Sequence, residues 1–124
     1  GYYPPMVAKK ALEIGPRIQN TFSKAYKAGV KIAFGTDAGV YAHGTNWKEF
    51  VYMTEAGMPF LEAIQSATWN AADLMGTQAI LGSIEKNKLA DIIAVEGDPT
   101  KNVYQMGKVN FVMKDGVVYK NTLK

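Results

Sequence analysis

The stretch that decides the fold lies at residues 28–39, where a helical pattern gives way to a compact apolar run and then to a glycine-rich turn. It reads Ala28-Gly29-Val30-Lys31-Ile32-Ala33-Phe34-Gly35-Thr36-Asp37-Ala38-Gly39. The apolar run at residues 30–34 follows a helix after a one-glycine break, which is the αβ half of a βαβ unit and predicts a strand of a parallel sheet. A lone parallel strand cannot satisfy its backbone or cover its faces. The sequence supplies no other βα unit, so we expect the chain to be the end of a larger α/β protein.

Helical patterns flank this stretch on both sides. Residues 6–28 show apolar side chains at helical spacing, interrupted at Gly15-Pro16, where Pro16 can begin a second helix. Asn46, with Glu49 three residues later, predicts a capping box for a helix that ends at Gly57. Two shorter helices are predicted after it, one from Pro59 and one over residues 71–75.

After Gly76 the pattern changes from helical to β. Residues 92–95 are predicted to form a strand that ends at a Gly-Asp-Pro sequence. Residues 109–113 and 117–119 flank Asp115-Gly116, a strong two-residue signal for a β-hairpin.

Composition excludes several classes of protein. The chain has 14 Lys and Arg against 11 Asp and Glu, and 48% of its residues are apolar, which is typical of a soluble globular chain. The lysines are scattered without a basic stripe between aromatics, so we expect no nucleic-acid partner. No apolar run approaches the roughly 18–20 residues of a membrane helix, so we expect no membrane partner. Composition leaves the compartment open; the cytoplasm is the expectation, and an N-terminal signal would lie outside this chain.

Asp37 is the leading candidate for chemistry. It lies just beyond the carboxyl end of the predicted strand, which is where sites form in α/β barrels and open parallel sheets. Gly35 and Gly39 would let a ligand or metal approach the backbone closely. The alternative interpretation is that Asp37 caps a turn, and spacing alone does not decide between the two.

His43 follows Asp37 by six residues, and one loop could bring both side chains into the same cleft. Such a pair can form a metal site or an acid–base pair. The alternative is a histidine on a surface loop. The chain has no cysteine and a single histidine, while a catalytic zinc takes about three protein ligands. We therefore expect no metal to bind tightly to this chain alone.

Four blocks of sequence resemble one family. Residues 28–39 resemble the last barrel strand of metal-dependent amidohydrolases and are most similar to the imidazolonepropionase-like branch, which includes Xaa-Pro dipeptidases. Residues 62–72 resemble the helix that follows. Residues 81–93 resemble the return into a small β-domain, and residues 112–119 resemble its final hairpin. Asn87 stands where the family usually has glycine, and asparagine tolerates a positive φ.

The resemblance implies a fold that this chain covers only in part. Family members have a (β/α)₈ barrel with a small β-sandwich built from both chain ends. Residues 1–76 would form the C-terminal end of the barrel, with its last helix, its last strand and the following helices, and residues 77–124 would form part of the sandwich. A barrel alone takes about 250 residues. The family's other metal ligands have no counterpart here and would lie upstream.

The resemblance also implies a reaction. In the family, the aspartate that matches Asp37 is a metal ligand and the proton acceptor for the attacking water. The resemblance therefore implies hydrolysis of an amide C–N bond in a small molecule such as a dipeptide, with a divalent metal, zinc first, as the cofactor. His43 and Asn46 are predicted to lie on the substrate side, and Tyr41 is a weaker candidate. We expect the 124-residue chain alone to be inactive.

Two further expectations concern this chain by itself. The alternative to an enzyme is a non-catalytic interaction module or an isolated structural fragment. Separated from a barrel, the chain is expected to expose apolar surface from Phe22, Phe34 and Ile64, which favours a homo-oligomer or a strand-exchanged assembly.

Overall fold

The computed structural model describes residues 4–39 and 41–123 of the chain. Four helices come first and a three-stranded antiparallel sheet of order β1-β2-β3 comes last. The helices are α1 (Pro5–Lys27), α2 (Lys48–Glu55), α3 (Phe60–Ala67) and α4 (Trp69–Leu74). The strands are β1 (Ile92–Val95), β2 (Val109–Lys114) and β3 (Val117–Asn121), with a short 3₁₀ helix at Val103–Gly107 between β1 and β2. The predicted helices after Pro59 and near residues 71–75, and all three predicted strands after Gly76, are confirmed.

The first helix is continuous, so the predicted break at Gly15-Pro16 is wrong. Helix α1 runs through Pro16. Proline has no N–H, so the Leu12 carbonyl four residues earlier loses its helical donor. Leu12 and Pro16 are both exposed, and water can satisfy that carbonyl on the surface.

Residues 30–34 do not form a strand, contrary to the prediction. The segment has no regular secondary structure and is held instead by hydrogen bonds to the helices, two of which reach α3 and α4. The Phe34 N–H donates to the Ser66 carbonyl at 2.9 Å, and the Asn70 side-chain amide donates to the Ile32 carbonyl at 3.1 Å. A β-ladder needs a neighbouring strand, and no segment in the described part of the chain lies beside this one to supply it.

The core lies between segment 30–34 and the helices. Met53, Met58 and Ala63 are buried and form its centre. Phe22 and Phe34 pack against them, and the Phe34 ring lies 4.7 Å from a second phenylalanine ring on α2. Phe22 and Phe34 are therefore half-buried, and they are less exposed than expected for a chain separated from its barrel.

A groove of about 650 Å³ separates the helices from the sheet. It is lined mainly by apolar side chains, among them Ile64, Met75 and Ile92. The groove is apolar surface that a second copy of the chain could cover, and association of the chain stays a prediction. No helix of the described residues is both long and apolar enough to cross a bilayer.

The hairpin turn has the geometry that its sequence predicts. Asp115 has φ 48° and Gly116 has φ 76°, and positive φ at both central positions defines a type I′ turn. Strand β2 pairs antiparallel with β1 on one side and with β3 on the other.

Asp91 fastens the start of β1 to this turn. Its Oδ1 accepts the Asp115 backbone N–H at 2.7 Å, and its Oδ2 accepts the Lys114 ammonium at 3.2 Å. The backbone N–H, together with the Lys114 charge, lowers the pKa of the Asp91 carboxyl below its ordinary value.

Asp91→Asn should therefore lower the urea midpoint of unfolding at pH 7. A lowered folded-state pKa means that the carboxylate stabilises the fold above its unfolded pKa and loses this contribution as the pH falls through the folded pKa. The difference between wild type and variant should thus shrink below about pH 4. Asp115→Asn is the matched control, because it removes a charge from the same turn and keeps the donating N–H. Equal midpoints for the two variants would show that Asp91 has no special role.

The loop before β1 is fastened to α4. The half-buried Lys88 side chain donates from its ammonium to the Ser83 hydroxyl at 2.5 Å, and the ammonium lies 5.2 Å from the centre of the Trp69 ring. Asn87 has φ 73°, which confirms that asparagine takes the left-handed conformation at this position.

Helix α2 begins without the predicted capping box. Its N-cap residue is Trp47, which has helical backbone angles and makes no side-chain cap. Asn46 lies in the preceding turn, where its carbonyl accepts the Glu49 N–H at 3.1 Å. The backbone carbonyl of Asn46, and not its side chain, therefore meets the Glu49 N–H that a capping box would satisfy. The side chains of Asn46 and Glu49 are left to line a cleft.

Candidate functional site

Asp37 lies at the end of segment 30–34, after Gly35-Thr36. The side chain is exposed and its φ is 46°, a left-handed conformation that aspartate tolerates better than most residues. Within the described residues, no donor bonds to its carboxylate and no cation pairs with it. The turn-capping interpretation therefore finds no hydrogen bond in its support, and both oxygens are open to a ligand.

His43 is exposed in the turn that follows. Among the described residues it forms no ion pair with Asp37, and neither residue lines a cleft with the other. The structure therefore does not bring these two together as an acid–base pair. Their separate roles at a metal or at a substrate stay predictions.

A polar cleft of about 260 Å³ opens next to the Asp37 turn. It is lined by Thr36, Tyr41, Thr45, Asn46, Lys48, Glu49 and Tyr52. The Tyr41 hydroxyl donates to the Thr36 carbonyl at 3.3 Å, which closes the turn around Asp37. Of the residues predicted for the substrate side, the structure places Asn46 and the weaker candidate Tyr41 in this cleft.

Glu49 also lines this cleft, and the sequence did not suggest it as a candidate site residue. It is half-buried and also lines two neighbouring clefts, one against α1 and one along residues 31–35. Burial raises the pKa of its carboxyl, and no described residue donates to it or pairs with it. A sequence signal was present: Glu49 is four residues before the buried Met53, so the two share a face of α2.

The described residues fit one ligand position of a metal site and not a complete centre. The Asp37 carboxylate is a suitable ligand for a divalent metal because it is exposed and has no competing partner. In the part of the chain that the structure describes, no three His, Cys, Asp or Glu side chains come close enough to hold a metal together. Further ligands would have to come from outside these residues.

The sequence and this geometry define the class of protein. The chain belongs to the amidohydrolase family, whose sequence profile matches residues 7–120. The α/β fold with its small antiparallel sheet is similar to that of amidohydrolase proteins.

Three relatives make the likeness more specific. Ochratoxinase of Aspergillus niger is 40% identical over 104 residues, which cover 80% of this chain and 21% of the ochratoxinase. A solved structure of a Xaa-Pro dipeptidase with methionine bound in its active site is 56% identical, with a TM-score of 0.87 over 96% of this chain and 29% of that one. A prolidase complexed with N-methylphosphonate-L-proline is 28% identical, with a TM-score of 0.82 over 96% of this chain and 30% of that one. The chain spans about a fifth of the length of the curated relatives that it matches.

Proposed function

We propose that this chain is part of a metal-dependent amidohydrolase that hydrolyses the C–N bond of a small amide, with dipeptides as the substrate class. The observation that carries the proposal is the exposed, unpaired Asp37 carboxylate beside a polar cleft. Membership of the amidohydrolase family and the likeness to a Xaa-Pro dipeptidase support it.

The same proposal assigns the two parts of the chain to two different domains of the complete protein. Residues 1–76 belong to the end of a (β/α)₈ barrel, and residues 77–124 belong to a small β-domain. Support comes from segment 30–34, whose backbone finds no ladder partner within the described residues, as expected of a barrel strand whose neighbours lie elsewhere.

Asp37 would hold the metal and move a proton. A divalent metal, with zinc as the expected ion, lowers the pKa of bound water and polarises the amide carbonyl when it is present. The Asp37 carboxylate accepts the proton of the attacking water and returns it to the departing amine. The open space around Gly35 and Gly39 leaves room for a ligand to approach this carboxylate.

The loop after Asp37 would orient the substrate. Asn46 and Tyr41 offer an amide and a hydroxyl to the cleft, which suits binding of a polar dipeptide end. His43 is proposed on the substrate side because it belongs to the same loop. Residues 1–124 by themselves are proposed to be inactive, since Asp37 is one ligand of a site that needs about three from the protein.

Removal of metal tests this function in the complete gene product that contains residues 1–124. Dialysis against a chelator should lower the rate of Ala-Pro hydrolysis by at least about a hundredfold, and added Zn²⁺ should restore it, because metal activation is worth several kcal/mol of barrier. Recovery with Zn²⁺ but not with Mg²⁺ would support zinc over a harder cation.

Two results would contradict the proposed function. Hydrolysis that survives chelation would exclude the metal-dependent mechanism. A gene product that binds no metal and cleaves no amide would favour the alternative of a non-catalytic interaction module.

A further inference from the structure

We propose that Glu49 binds the free ammonium group of the substrate in the cleft beside Asp37. This inference rests on the proposed function, because it places a substrate in that cleft. It goes beyond the predicted site residues, since Glu49 was expected only to cap α2.

The position of Glu49 suits a specificity-determining residue. The cleft that it lines also contains Thr36, the residue directly before Asp37, so a ligand in the cleft would border the turn that carries the candidate catalytic carboxylate. Glu49 is in the first turn of α2, a helix whose buried Val51 and Met53 fix its orientation against the core. The carboxylate is therefore held on a packed element and faces a space large enough for one end of a small molecule.

The environment of Glu49 favours a cation as its partner. The side chain is half-buried, and it accepts no hydrogen bond and forms no ion pair within the described residues. Partial burial removes some of the water around this carboxylate, and a bound cation offsets that loss. The Glu49 oxygens remain open to solvent. Among the described residues, the Gln105 side-chain oxygen is the one fully buried side-chain atom without a hydrogen-bond partner, so the unpartnered Glu49 oxygens are not fully buried.

The rest of the cleft favours an ammonium group that belongs to an amino acid or a peptide. An ammonium has three donors, and Tyr41, Thr45 and Asn46 offer neutral oxygens near the Glu49 carboxylate. Lys48 lines the same cleft and is exposed, without an ion pair to a described carboxylate. A purely cationic ligand would be repelled by Lys48, whereas a zwitterion carries a carboxylate that Lys48 tolerates.

Binding calorimetry on the complete gene product tests the proposal with two probes, L-leucine and N-acetyl-L-leucine, which differ in the ammonium group. Wild type should bind leucine about tenfold tighter or more than the acetylated probe, as expected for a charge-assisted hydrogen bond. Glu49→Gln should weaken leucine binding by about tenfold or more and leave binding of the acetylated probe unchanged. Glu55→Gln is the matched control, because it is an exposed glutamate on the same helix, and it should change neither affinity.

A thermal midpoint measured without ligand separates this role from a structural one. Partial burial of an unpaired carboxylate does not favour folding, so Glu49→Gln should keep or raise the midpoint. A lower midpoint would show that Glu49 pairs with a cation inside the protein and would overturn the proposal. Equal binding of both probes to wild type, or equal loss of both in Glu49→Gln, would overturn it as well.

The failure of this proposal can be told apart from the failure of the proposed function. If the gene product cleaves no amide yet shows the predicted loss of leucine binding in Glu49→Gln, the hydrolase proposal fails and the ammonium site stands. If it hydrolyses Ala-Pro yet does not distinguish the two leucine probes, the ammonium site alone fails.

Discussion

Asp37→Asn in the complete gene product should lower kcat for Ala-Pro hydrolysis by about 10²–10⁴-fold, the contribution typical of a positioned proton acceptor. Asparagine keeps the size of the side chain and tolerates the left-handed backbone at this position, where φ is 46°. The neutral amide, however, cannot accept a proton from water and is a poorer metal ligand than a carboxylate. The loss should therefore appear in turnover, while the thermal midpoint of unfolding stays close to that of wild type.

Asp115→Asn provides a control that is matched in backbone as well as in chemistry. Asp115 has φ 48°, almost the same as Asp37, but it lies in the β2–β3 turn. The control variant should keep wild-type kcat. If Asp37→Asn retained more than about a tenth of the wild-type rate, Asp37 could not be the proton acceptor.

Gly82→Ala should destabilise the folded protein by about 2–5 kcal/mol, the sum of backbone strain and overpacking. Gly82 has φ +91°, and a Cβ at this position would lie 2.7 Å from the Ala72 Cβ and 3.1 Å from the Thr68 carbonyl oxygen. Ala72 is 1% exposed and belongs to α4, so the helix has little freedom to move away. Urea unfolding of the complete gene product measures the effect.

Gly57→Ala separates the cost of backbone strain from the cost of overpacking. Gly57 has φ +101° but nothing within 4 Å of an added Cβ, so its variant should lose only the strain of about 1–2 kcal/mol. The difference between the two variants then measures the contact between the loop at Gly82 and α4. Equal destabilisation would mean that this loop does not pack against α4 as the structure has it.

Local chemistry made much of the fold predictable. The β2–β3 hairpin follows from Asp115-Gly116, because two positive φ angles in succession select those residues. The ends of α2 and α4 at Gly57 and Gly76 follow from the same conformational freedom. These features depend on a few neighbouring residues, and the sequence contains them in full.

Features that depend on distant partners were not predictable in the same way. Residues 30–34 have the composition of a strand, yet a strand needs neighbours that the described residues do not supply. The break at Pro16 was predicted from a local rule, but the helix continues there at an exposed position, where water can satisfy the carbonyl that loses its donor.

The candidate site also contains one residue that local sequence indicated and one whose position depends on tertiary packing. Asp37 was proposed from the sequence because a carboxylate between glycines at the end of an apolar run is a local signal, and its role stays a prediction. Glu49 was missed because its burial against α1 and segment 30–34 is a tertiary property, and its spacing from Asn46 suggested a cap instead.

A crystal structure of the complete gene product grown with Zn²⁺ tests the central claim most directly. We predict that residues 30–34 pair on both sides with parallel strands, and that an Asp37 carboxylate oxygen lies about 2.0–2.2 Å from a bound zinc ion. A structure in which residues 30–34 remain unpaired, or in which zinc binds elsewhere and Asp37 faces solvent, would contradict the account.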